Sequence, residues 1–145
     1  MDLSGQIGSI ERSAAFAKLM VGRPWRLGAE GPNEFDCWSL ARFCQLAVFG
    51  QDLPLAGIDP GNAFSVAHAI KNNPLSATWP LCPTKRHGDV VTMLHPNHVG
   101  HVGVYFDIDR GGVLHCIEGA GVRFDRLDML RTMCWHSLQY FRPAA

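Results

Sequence analysis

Asp36 and Cys37 stand at the head of CWSLARFCQLAVF, residues 37–49, a run that is apolar nearly all round and is followed by Gly50. Aspartate is a favoured N-cap and glycine a favoured stop, so the run reads as a buried helix with Cys37 in its first turn. There a sulfur meets unpaired backbone N–H groups and the positive end of the helix dipole. That placement lowers a thiol from its usual pKa of about 8.5 and turns it into a nucleophile. Cysteine is also an ordinary small core residue, and Cys44, further along the same helix, fits that description.

Two histidines set Cys37 apart. The stretch HPNHVGHVGVYF, residues 95–106, repeats His-Val-Gly at His98 and at His101. The second copy continues into Val104, Tyr105 and Phe106 as a strand, with His101, Gly103 and Tyr105 on one face and Val102, Val104 and Phe106 on the other. His101 then points away from the more apolar face, beside small Gly103, while His98, just after Pro96 and Asn97, falls in a loop. His115 lies on the next strand, across the turn DIDRGG, where a hairpin sets it opposite or diagonal to His101. Together these residues offer the parts of nucleophilic catalysis: a thiolate, a base that also protonates the leaving amine, and a third group that orients the base. Glu118 is the alternative third group should His115 face the core.

The same side chains admit other chemistry. His95, His98 and His101, or Cys37 with His101 and His115, are of the types that hold zinc. Against this, three histidines at intervals of three in a strand alternate between faces, so their rings do not converge. Asp89 reads as serving the turn into a strand, and His68, His87 and His136 as surface or loop residues. Trp79, Trp135 and Phe141 read as packing, with Trp79 also placed to shape a groove.

The elements that must position these groups follow from pattern. Ser9 caps a helix over IERSAAFAKLM, closed by Gly22 and Pro24. RLGAEGPNEF is a loop, rich in glycine. Residues 51–87, with prolines at 54, 60, 74, 80 and 83, form an irregular excursion around one short helix from about Ala63 to Lys71. Strands follow: DVVTML, HVGVYFD, GGVLHCIE, VRFD and WHSLQYFR. Helices first and an antiparallel meander after them predict a single α+β domain over residues 1–145, its N-terminal helices packed on one face of a C-terminal sheet of about five strands.

Composition narrows the function. A chain of 145 residues is large enough to bury a core without disulfides or metal. Thirteen basic residues balance thirteen acidic ones with no cationic run, which argues against nucleic acid or a membrane surface as partner. Five cysteines, an odd set without a C-x-x-C pair, read as reduced thiols. No stretch approaches the roughly 18 apolar residues of a spanning helix, and the N-terminus lacks a basic segment followed by an apolar one. The expectation is a protein made in the cytoplasm without an ordinary export signal.

The order of GRPWRLG, FDCWSLARF, HGDVV, HVGVYF and VLHCIEGAGVRFDRL, spread from about Gly22 to Pro143, resembles the NlpC/p60 cysteine peptidases. The resemblance implies a papain-like α+β core, Cys37 as nucleophile, His101 as general base, His115 as third polar residue, and substrate contacts at Trp25, Asp36 and Trp38. It further implies hydrolysis of an amide bond in bacterial cell-wall peptides, often that joining γ-D-glutamate to a diamino acid, with no metal or other cofactor. Three positions depart from the usual pattern. Trp38 and Ser39 stand where the family has Ser-Gly after the cysteine, and Trp25 replaces a tyrosine. The Asp-Cys-Trp triplet and the helix end VFGQDLP resemble members associated with phage and prophage tails, which also supplies a route to the wall and tail proteins as partners. Two further readings stay open: a tail component that keeps the fold without activity, and the zinc-binding one.

Overall fold

The computed structural model describes residues 3–53 and 79–144. Its second helix, α2 (Cys37–Phe49), is closed at both ends by its own residues. Ser39 N–H donates to Asp36 Oδ1 at 2.8 Å and Asp36 N–H donates to Ser39 Oγ at 3.0 Å, a reciprocal capping box. Gly50 ends the helix in the left-handed conformation at φ 66°. Though apolar nearly all round, α2 buries one side, including Cys37, Trp38, Leu40, Ala41, Cys44 and Val48, and leaves Leu46 exposed. Gln45 is buried within that side and anchors it, donating from Nε2 to the carbonyl of Gly88 at 2.7 Å.

The first helix, α1, spans Leu3–Met20 and so begins upstream of Ser9, which is not its cap. The Ser9 carbonyl lies inside the helix and accepts from Ser13 Oγ at 2.8 Å. With no proline upstream to stop it, the helix continues past the polar residue. Its end is as expected, at Gly22, where φ is 96°.

All strands are antiparallel: β1 (Leu81–Cys82), β2 (Val90–His95), β3 (His98–Phe106), β4 (Gly112–Ile117), β5 (Gly121–Arg126) and β6 (His136–Phe141). Their order in the sheet is β1-β6-β2-β3-β4-β5. The five strands read from sequence are all present, and the sixth is the two-residue β1 at the edge. The meander is not continuous. After β5 a short helix, α3 (Leu127–Thr132), which pattern reading missed, carries the chain back so that β6 pairs with β2. The helix expected from about Ala63 to Lys71, with His68, lies outside the described residues.

Two apolar clusters sandwich the sheet. Val90, Val102, Val104, Phe106, Leu114, Cys116 and Val122 pack against α1 and α2. On the other face Val91, Met93, Tyr105 and Val113 pack with Leu130 of α3 and with Trp135. The architecture is therefore α+β, with the N-terminal helices on one face as expected and α3 added on the other. Residues 22–24 run across the free edge of β5: Gly22 N–H donates to Val122 O at 3.0 Å, and Val122 N–H to Arg23 O at 2.9 Å. Asp89 does serve the entry to β2, and it also binds Arg142 through Nε at 2.9 Å and Nη2 at 2.8 Å. Among the described residues no helix is long and apolar enough to cross a membrane.

Candidate active site

Cys37 sits at the head of α2 with a side chain 8% exposed. Burial pushes its thiol up to about 12 and the Asp36 carboxylate adds to the rise. The backbone N–H groups of Val102, Trp38 and Cys37 itself favour the thiolate but do not offset these effects. The expectation of a lowered thiol is thus reversed, because desolvation in the core outweighs the helix terminus. The Val102 amide is available for a specific reason. Pairing of β3 with β4 ends at Gly103↔His115, one residue short of Val102, while β4 continues to Ile117 paired with β5 alone. Cys116, in that same stretch, donates its thiol to Phe35 O at 3.3 Å.

His101 leaves β3 on the face opposite α2, as strand alternation predicts. His115 is diagonal to it on β4, and the two rings meet through His101 Nε2 and His115 Nδ1 at 2.8 Å. The diagonal depends on Gly103. A Cβ there would come 2.5 Å from Val113 Cγ1, 2.7 Å from Leu114 O and 3.0 Å from His115 Cβ. From His115 the line continues to β5, where Nε2 meets Asp125 Oδ2 at 2.7 Å. Arg123, paired with His115 in the ladder, donates to the same carboxylate from Nη2 at 2.9 Å and from Nε at 3.1 Å. His115 is fully buried, at 0% exposure, so these two contacts are its polar surroundings. Burial, and after it the neighbouring His115 and His98, hold His101 well below the usual histidine value. Cys37 and His101 are therefore a neutral thiol and a neutral imidazole at pH 7.

Trp135 walls the pair. Its ring stacks on His101 with centroids 4.8 Å apart and on His98 at 5.3 Å, and meets His115 edge-on at 6.2 Å. His98 is not in a loop. It opens β3, because Pro96 and Asn97 make a tight turn that pairs His95 with His98. Between Met93↔His101 and His95↔His98 the register shifts, with one more residue on β3 than on β2. That bulge cancels the alternation, and both His98 and His101 stack against Trp135. The three rings do gather, contrary to strand periodicity, but His95 accepts the Asn97 N–H at Nδ1 and faces Met133 O through Nε2. Among the described residues no group of three or more His, Cys, Asp or Glu is arranged to hold a metal ion.

The remaining predicted site residues lie around α2. Asp36 is buried as the cap; beyond Ser39, its Oδ2 accepts the Gly28 N–H at 3.2 Å. Trp25 is half-buried against the main core and bridges Phe35. Trp38 is 1% exposed, and its indole N–H has no partner among the described residues. Asp36, Trp38 and Ser39 line a pocket together with Glu30, Arg42 and Phe43. His87, read as a surface residue, is half-buried and structural: it accepts Asp107 N–H at 2.8 Å and meets Ser13 Oγ at 2.9 Å.

Asp125, Arg123 and the stacking role of Trp135 escaped sequence reading. A signal for the first two existed, since the tight turn after β4 sets Arg123 opposite His115 and puts Asp125 on the same face. None existed for Trp135, which reaches His101 only because β6 crosses back.

Residues 22–138 match the model of the NlpC/P60 family. Among solved structures, the NlpC/p60 domain of the peptidoglycan hydrolase SagA is similar, at 18% identity and a TM-score of 0.57, covering 90% of this chain and 97% of that one. NlpC2 from Trichomonas vaginalis is similar at 19% identity and a TM-score of 0.61, covering 94% of this chain and 47% of its own; NlpC1 from the same organism gives 19% and 0.61, with 94% and 44% covered. The chain thus spans about half the length of those two proteins. No curated protein matches it.

Proposed function

This chain belongs to the NlpC/P60 family, and on that premise we propose that it is a cysteine peptidase hydrolysing an amide bond in bacterial cell-wall peptides. Cys37 is the nucleophile, His101 the base and His115 the residue that orients it. The observation that carries this reading is the bond from His101 Nε2 to His115 Nδ1 at 2.8 Å, one residue from the Val102 amide that addresses the Cys37 sulfur. In the reaction His101 takes the thiol proton as sulfur adds to the carbonyl carbon, and the backbone N–H of Cys37 stabilises the oxyanion. His101 then protonates the leaving amine, and water, deprotonated by the same ring, hydrolyses the thioester. Because thiol and imidazole both start neutral, proton transfer accompanies attack instead of preceding it.

The bond we assign is that from γ-D-glutamate to a diamino acid, and the setting a phage or prophage tail. The Asp36-Cys37-Trp38 triplet and VFGQDLP, with their likeness to tail-associated members, support that setting; tail proteins are then the partners, and the wall is reached by way of the virion. Digestion of purified peptidoglycan, with released fragments identified by mass, tests the reading: a new amine at the diamino acid is expected, and none with Cys37→Ala. A second reading, a tail component that keeps the fold without hydrolysis, draws on the burial of Cys37 and its raised thiol. Intact peptidoglycan after incubation with the unaltered protein would favour it.

A further inference from the structure

We infer that Asp125, held by Arg123, is a positioning residue that dictates which nitrogen of His101 is bare, and that this nitrogen is Nδ1. The inference deepens the proposed function and rests on its assignment of His101 as base. It follows from a chain of hydrogen bonds in which each partner leaves the next one choice. A carboxylate only accepts, so Asp125 Oδ2 at 2.7 Å requires the proton of His115 to sit on Nε2. A neutral His115 protonated there has a bare Nδ1, which only accepts. His101 Nε2, 2.8 Å from that atom, must therefore carry the N–H. Nδ1 of His101 is left bare, and among the described residues no group bonds to it. It is the atom that remains to take the Cys37 proton.

Arg123 makes this ordering hold. Two N–H bonds from its guanidinium already balance the Asp125 charge, so the carboxylate needs no second proton on His115 to neutralise it. Burial pushes the Asp125 carboxyl up, but the bonds from His115 and Arg123 outweigh burial and hold it at about 2, so it is ionised throughout the range in which a peptidase works. Were His115 doubly protonated, its Nδ1 would donate to His101 Nε2, placing the His101 proton on Nδ1 and blocking the base. The charged and titratable groups facing the two rings are His98 beside His101, and Asp125 and Arg123 beside His115.

The test is nitrogen-resolved NMR of the histidine rings in the full chain at neutral pH, with His101 and His115 assigned by substitution. Protonated and bare ring nitrogens have separate shifts. Both rings are expected to be neutral with the proton on Nε2. A doubly protonated His115, or a proton on Nδ1 of either ring, overturns the inference. Asp125→Asn supplies the second readout. Removing the charge while keeping the shape should leave both rings as tautomer mixtures and lower kcat by about 100-fold with KM little changed. A folded variant with wild-type tautomers and wild-type kcat also overturns it. The NMR of the unaltered protein decides the matter if that variant fails to fold, and it decides it independently of whether cell-wall peptide is the substrate.

Discussion

Trp135 lies against His101 with ring centroids 4.8 Å apart and planes 25° from parallel. The indole face fixes the plane in which the imidazole can turn. In the proposed reaction it would also attract the imidazolium formed when His101 takes a proton, an interaction worth about 0.5–2 kcal/mol. One residue thus links the packing of the second apolar cluster to the ring proposed as the base.

Trp135→Ala should therefore cost stability and activity together. Loss of a buried Trp side chain is expected to destabilise by about 3–5 kcal/mol, read from the urea midpoint. Trp135→Phe keeps an aromatic face and should retain most of both. Equal losses of kcat in the two variants would show that the stacking plays no part.

Substitutions at the site separate the doubled tripeptide. Cys37→Ala and His101→Ala should each lower kcat by about 1,000-fold or more, since members of a catalytic unit fail together. His98→Ala, although its ring shares Trp135, should leave most of the activity. Matching losses at His98 and His101 would contradict the assignment of a single base.

Gly103→Ala tests the diagonal across the sheet. The added methyl would have to displace Val113, the Leu114 carbonyl or His115. Overpacking of this kind costs about 1–3 kcal/mol, and the β4 backbone offers no flexible end to yield. The variant should lose hydrolysis beyond its loss of stability, because separating β3 from β4 lengthens the His101 to His115 bond; kcat measured well below the melting temperature reads this.

Alkali should unfold the protein through its thiols. Cys37 and Cys116 are each held up to about 12 by burial, so between the ordinary cysteine value and that point the folded chain keeps protons that the unfolded chain releases. Stability then falls as pH rises above about 9, by roughly 1.4 kcal/mol per pH unit for each such thiol. Asp125 works in the opposite sense at the acid end. Its stabilising contribution is complete above about pH 4 and is lost as pH falls towards about 2, the value to which its partners hold it. Urea midpoints against pH check both limbs. Iodoacetamide should accordingly alkylate resting Cys37 more slowly at pH 7 than it does free cysteine, and a faster rate would show a preformed thiolate.

The helix behind Cys37 and the strand behind His101 were legible because each carries its signal locally. Asp36 and Gly50 bracket an apolar run, and Val102, Val104 and Phe106 alternate against His101 and Gly103. Asp36 and Ser39 show how a departure from the family pattern is explained locally too: the serine in place of glycine completes the capping box. His98 reads as a loop residue because the Pro96-Asn97 turn that pairs it with His95, and the bulge that sets its face, are properties of two strands in register, not of one. α3 is too short for its periodicity to stand out from the strands on either side.

The sequence by itself determined which residue types are available and which stretches bear them: a cysteine at a helix start, a histidine on each of two adjacent strands, and an α+β order of elements. Periodicity and capping are short-range, so they survive without a fold. Only the tertiary structure decided the protonation of Cys37, since burial by distant residues outweighs the helix terminus. It alone decided that Asp125 and Arg123 complete the line from His101 and that Trp135 stands against it, because those contacts arise where β5 and the returning β6 come to lie in the sheet.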